Sequence, residues 1–88
     1  MHNPTAIDAL GQQLATAAMR TLIRLCPEVR AASTAQLDAA CAAMRAQTRD
    51  VVDQLFADAK AAPWLADAAL ATAALTLAHA GIEALRGA

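Results

Sequence analysis

Alanine occupies 27 of the 88 positions of this chain, and no other feature constrains its fold so strongly. It is the best intrinsic helix former and carries almost no side-chain bulk. The chain is therefore expected to be helical, with helices able to lie unusually close together. The same bias leaves few features that would name a function. There is no phosphate-binding glycine loop, no cysteine/histidine metal quartet and no catalytic constellation.

Three prolines, Pro4, Pro27 and Pro63, cut the chain into stretches that are each long enough for a helix. Proline is tolerated in the first helical turn and breaks an interior, so each marks a boundary. The predicted helices cover about 4–25, 34–61 and 63–86. Asn3 is placed to cap the first, with Asp8 near its positive end. Ser33-Thr34-Ala35-Gln36 matches the capping box that opens the second. Residues 27–32 are the connection between them. Between the second and third helices, Pro63 predicts a tight antiparallel turn, with one long helix kinked at that proline as the alternative.

Apolar spacing supplies the faces. In the first helix Ile7, Leu10, Leu14, Ala17/Ala18, Thr21/Leu22 and Leu25 recur with helical period, while Met19 and Ile23 fall beside Arg20 and Arg24. Gly11 weakens that helix against alanine, and is read as a close helix crossing. In the second, Leu37, Cys41, Met44, Thr48, Val51 and Leu55 form a 4-3-4-3-4 seam for a neighbouring helix. Phe56 and Val52 lie to one side, near Arg45 and Arg49. The third helix carries one polar stripe (Thr72, Thr76, His79, Glu83, Arg86) in an otherwise apolar surface. Its large residues form two ridges, Trp64/Leu75/Ile82 and Leu70/Leu77. Between them runs a valley of Ala71, Ala74, Ala78 and Gly81, suited to a closely packed helix.

These elements predict an all-α, up-down-up three-helix bundle, a single domain over residues 1–88. Only 22 residues are Leu, Ile, Val, Met, Phe or Trp, a thin core for a lone small domain. Self-association into a homodimeric helical bundle is therefore expected, through Leu70, Ala71, Ala74, Leu77, Ala78 and Gly81.

The net charge of −1 comes from eight acidic and seven basic groups, without the basic face that displaces counterions from nucleic acid. No nucleic-acid partner is expected. No basic region followed by an apolar run opens the chain, and two cysteines are too few for a disulfide scaffold. A cytoplasmic location follows, and the alanine and arginine bias suggests a GC-rich bacterial or phage genome.

Each candidate site has a plainer reading. His79 and Glu83, one turn apart, could hold a metal or move a proton, but read as a surface pair. His2 sits in the terminus. Cys26, Cys41, Met19 and Met44 are soft copper(I) ligands, yet the two cysteines and Met44 read as core fillers. Neither thiol has a histidine placed near it as a base. The stretch Trp64–Leu85 is long enough to span a bilayer, but Asp67, His79 and Glu83 interrupt it. No metal, cofactor or membrane is expected. What remains is apolar side chains bordered by arginine, a common interface composition. Met19, Ile23, Arg20, Arg24, Arg45, Arg49, Val52 and Phe56 are the candidate partner-binding residues, with Leu65 a weaker one. The expected function is non-catalytic: binding another protein as an adaptor, chaperone or phage or mobile-element inhibitor. The alternatives are a carrier of a small apolar ligand or soft metal in the bundle core, and a membrane-associated helical protein.

Overall fold

A computed structural model describes residues 4–87, with side chains from Asp8 onward. Among the described residues there are three α-helices and no strand: α1 (Pro4–Leu25), α2 (Thr34–Ala61) and α3 (Ala66–Gly87). His2, the Asn3 cap and the side chain of Ile7 lie outside the described residues. Pro27 and Pro63 each open a 3-10 turn, over Pro27–Ala31 and Pro63–Leu65. The segment 27–32 is thus largely helical rather than a plain connection. The α-helical part of the third stretch begins at Ala66, after the second turn.

Local chemistry explains these boundaries. Ser33 Oγ accepts a hydrogen bond from the Gln36 amide at 3.2 Å, and the Ser33 amide donates to Gln36 Oε1 at 2.9 Å. This reciprocal pair satisfies two free donors at the start of α2. At its other end the Ala62 amide donates to the Asp58 carbonyl at 2.9 Å. Ala62 then leaves helical geometry, with φ −140° and ψ 76°, as a residue before proline must. The chain turns back there, and the single kinked helix does not form. Gln36 Nε2 also donates to the Leu85 carbonyl at 3.4 Å, so the start of α2 lies against the end of α3.

α3 is the centre of the molecule. It packs against α2 most extensively and against α1 next, whereas α1 and α2 meet only weakly. The Cα envelope measures 43 × 26 × 16 Å, a slab with α3 between its two neighbours. Ala73, Ala74, Leu77, Ala78, Gly81, Ile82 and Leu85 are all buried on α3. They meet Leu14, Ala18 and Leu22 of α1 and Ala40, Met44, Val52 and Leu55 of α2 in one core cluster. Cys26 and Val29 close the same cluster from the first turn.

The close approach occurs at Gly81. A Cβ built there would lie 2.8 Å from Met44 Sδ and 3.0 Å from Met44 Cγ, with the Ala40 carbonyl oxygen 3.8 Å away. Gly11, read above as the crossing point, meets nothing within 4 Å. At Gly81 the missing side chain makes room for Met44 of α2.

The expected seam holds over most of α2, with Met44 and Leu55 buried and Thr48 and Val51 half-buried, and fails at its N-terminal end. Leu37 remains 39% exposed and Cys41 is also exposed, while Ala40, Met44, Val52 and Leu55 are buried. A seam drawn through the largest side chains misses Ala40, which is buried where Gly81 lets the α2 backbone approach. The expected Trp64/Leu75/Ile82 ridge also divides. Ile82 is buried, Leu75 is 41% exposed and Trp64 is 80% exposed. Trp64 sits in the 3-10 turn, whose three-residue period places it out of phase with α3. Thr21 and Thr48 lie partly buried on apolar faces because their hydroxyls donate to the Ala17 and Met44 carbonyls, at 2.8 and 2.7 Å. That bond leaves the methyl group to pack.

Candidate protein-binding surfaces

The expected partner surface is only partly formed. Met19 is 42% exposed and Phe56 is 41% exposed, and Arg20, Arg24, Arg45 and Arg49 are all exposed. Val52, however, is buried in the core, and Ile23 is half-buried against it. These two belong to the fold rather than to an open surface, because the core cluster takes in Val52 at the flank of the α2 seam and Ile23 packs against it. The cation beside Phe56 is Lys60, whose Nζ lies 6.0 Å from the ring centroid. The α1 and α2 halves of the patch are carried by helices that barely touch.

The residues expected to mediate self-association have a different fate. Ala74, Leu77, Ala78 and Gly81 are buried within the chain itself, Leu70 is half-buried, and Ala71 alone is exposed. At Gly81 the valley is filled by Met44 of α2. The valley is an internal seam.

A groove that sequence reasoning missed runs along the other side of the α2–α3 hairpin, near its turn. Its volume is about 550 Å³. Val51 and Leu55 line it from α2; Ala69, Ala73 and Leu65 line it from the α3 side. The α2 rim bears Asp50, Gln54 and Asp58, and the opposite rim bears Thr72 and Thr76. Gln54 Nε2 donates to Asp58 Oδ1 at 2.9 Å. The two threonine hydroxyls donate to the Ala68 and Thr72 carbonyls, each at 3.0 Å. The α3 rim is therefore largely apolar and the α2 rim acidic. Leu65 is 53% exposed at one end of the groove, and next to it Trp64, the only tryptophan, stands out at 80% exposure. The available signal was Pro63: a proline-opened 3-10 turn throws the following side chains off the helical face.

A polar cluster joins the ends of α1 and α3. Arg86 Nη2 and Nε both donate to Glu28 Oε1, at 2.8 and 3.3 Å. The guanidinium first, then the Cys26 thiol, holds the Glu28 carboxyl down at about 2. Burial, and after it the neighbouring carboxylate, pushes the Cys26 thiol up, the opposite of what activates a nucleophile. Both members of the ion pair are more than half exposed, so solvent screens it strongly.

A carboxyl depressed by its folded environment adds stability above its ordinary value and loses it as pH falls through the folded one. The pH-dependent part of the stability difference between wild type and Glu28→Gln should therefore be fully present above pH 4.5 and be lost as pH falls through about 2. Urea midpoints across that interval check this. A difference that persists unchanged at the acid end would mean the ion pair is not its source.

His79 and Glu83 are both exposed on α3. Among the described residues no group of three or more His, Cys, Asp or Glu side chains is arranged to hold a metal ion. The segment Pro63–Gly87 is long and apolar enough to cross a membrane, with mean hydropathy 1.4 over its most apolar window, of which 28% is buried. Compared with protein families, curated proteins and solved structures, the chain shows no match.

Proposed function

We propose that this chain is a small non-catalytic helical protein that acts by binding another protein, in the manner of an adaptor, chaperone or inhibitor, and that it also self-associates. The observation that carries this reading is Trp64, held 80% exposed on the turn between α2 and α3. Tryptophan is enriched among residues that dominate binding energy, where its large apolar surface enters a partner's pocket. A side chain of that size left in water on a proline-braced turn is suited to anchoring a contact. Exposed Leu65 beside it enlarges the apolar area.

A photoreactive residue in place of Trp64 should give a discrete protein adduct in cells, whereas the same residue at exposed Asp38 should not. With the partner identified, Trp64→Ala should weaken binding about tenfold or more, a loss of roughly 1.4 kcal/mol or greater, with the helical circular-dichroism spectrum retained. Equal labelling from both positions would overturn the reading.

A second reading, membrane association, is favoured by the hydropathy of Pro63–Gly87. It predicts a blue shift of Trp64 fluorescence on adding lipid vesicles. An unchanged spectrum removes it.

A further inference from the structure

We propose that the groove between α2 and α3 receives the basic, aromatic edge of α2 from a second copy of this chain. The two flanks of α2 differ in charge. At about 100° per residue, Arg45, Arg49, Phe56 and Lys60 fall within an arc of roughly 60°, a predominantly basic edge that exposed Asp38 shares and exposed Asp53 borders. Asp50, Gln54 and Asp58 occupy the opposite flank, where they form the acidic rim of the groove. No cationic side chain lines that groove. The only salt bridge among the described residues is the distant Arg86–Glu28 pair. The acidic rim and the basic edge are therefore both exposed and without ion-pair partners among the described residues.

Charge and shape agree on the occupant. The groove has a floor of Val51, Leu55, Ala69 and Ala73 and is open to solvent along one side. The α2 edge offers the only phenylalanine of the chain, 41% exposed, with Lys60 drawn over its ring. A Phe56 ring seated on this floor would bring flanking Lys60 and Arg49 toward the partner's Asp50 and Asp58. Complementary charges across such a contact set its register and suppress wrong pairings. The basic edge of α1 is a poorer occupant, since half-buried Ile23 leaves Met19 as its single large apolar knob.

Groove and edge lie on opposite flanks of one helix, so the contact is head-to-tail. One pairing leaves a free groove on one copy and a free edge on the other, and association continues until a ring closes. This proposal rests on the self-association proposed above and specifies its surface; the Trp64 contact with another protein is separate and survives its failure.

The test is sedimentation of two variants, alone and mixed. Asp50→Lys with Asp58→Lys disables the groove; Phe56→Ala with Lys60→Ala disables the edge. Wild type should associate beyond the dimer as concentration rises, less so in high salt. Each variant alone should be monomeric, and their equimolar mixture should stop at a heterodimer, because only one competent groove and one competent edge remain. A wild type that stays monomeric throughout, a groove variant that still associates, or a mixture that stays monomeric would each overturn the proposal. All four positions are exposed. Should a double variant lose its helical spectrum, Asp58→Lys and Phe56→Ala singly replace it with the same expectations.

Discussion

Replacing Leu77 by alanine is expected to lower stability by roughly 2–5 kcal/mol. Leu77 is 2% exposed and sits midway along the helix that the other two share. Removing its three outer carbons forfeits their burial and leaves a cavity that surrounding helices can only partly close. A chain of this length has roughly 4–13 kcal/mol of stability in all, so a large part of the margin goes with one side chain. At about 4–8 °C per kcal/mol for a domain this small, Tm should fall by roughly 8–40 °C. Urea unfolding measures the loss directly, with an unchanged denaturant slope showing that the same surface is still exposed. A loss below about 1 kcal/mol, within the range of ordinary surface substitutions and weak packing sites, would show that α3 is not the shared core helix.

Gly81→Val should be the other severe change. A Cβ at that position already falls 2.8 Å from Met44 Sδ, closer than real carbons come. Alanine is tolerable, because the end of a methionine side chain can swing aside and the helix gains about 0.8–1 kcal/mol in propensity. Valine adds two further carbons on a stiff β-branch, directed toward a backbone whose Ala40 carbonyl is 3.8 Å from the Cβ. Overpacking of this kind costs about 1–3 kcal/mol, beyond the loss of close helix contact. The two residues should couple: in a Met44→Ala background the added cost of Gly81→Val should shrink. A double-mutant cycle reads that coupling. Additive effects would place the clash elsewhere. Gly11→Ala is the matched control. With nothing within 4 Å of its Cβ, it should stabilise the chain by about 0.8–1 kcal/mol.

The contrast between the two glycines shows how far a sequence of this kind is legible. Helix boundaries are written in residues that act locally. Pro27 and Pro63 interrupt the backbone wherever they stand, and Ser33 and Gln36 cap α2 through bonds spanning three residues. The faces are not written so plainly. Large residues normally mark the buried side of a helix, but here small ones such as Ala40, Ala74 and Ala78 are buried as well, and their position among 27 alanines carries little signal. Hence Val52 and Ile23 read as surface candidates and lie within or against the core, while Leu37 and Cys41 read as seam and face solvent.

The candidate surface divides in the same way. The arginine pairs and Phe56 were visible as polar and aromatic departures from an apolar pattern, and they are exposed. The groove was not visible, because its lining residues lie on two helices and come together only when α2 folds back on α3. Trp64 was assigned to the wrong face, since a helical period was carried through a 3-10 turn.

Composition and local bonding therefore determined that this chain is three helices, and where α2 starts and stops, because hydrogen bonding, capping and proline sterics act within a few residues. Which side of each helix is buried, that the Gly81 valley is sealed by Met44, and that an acidic-rimmed groove opens beside Trp64 were decided by packing. Packing depends on how close two backbones can come, a property of pairs of surfaces that no single stretch of sequence contains.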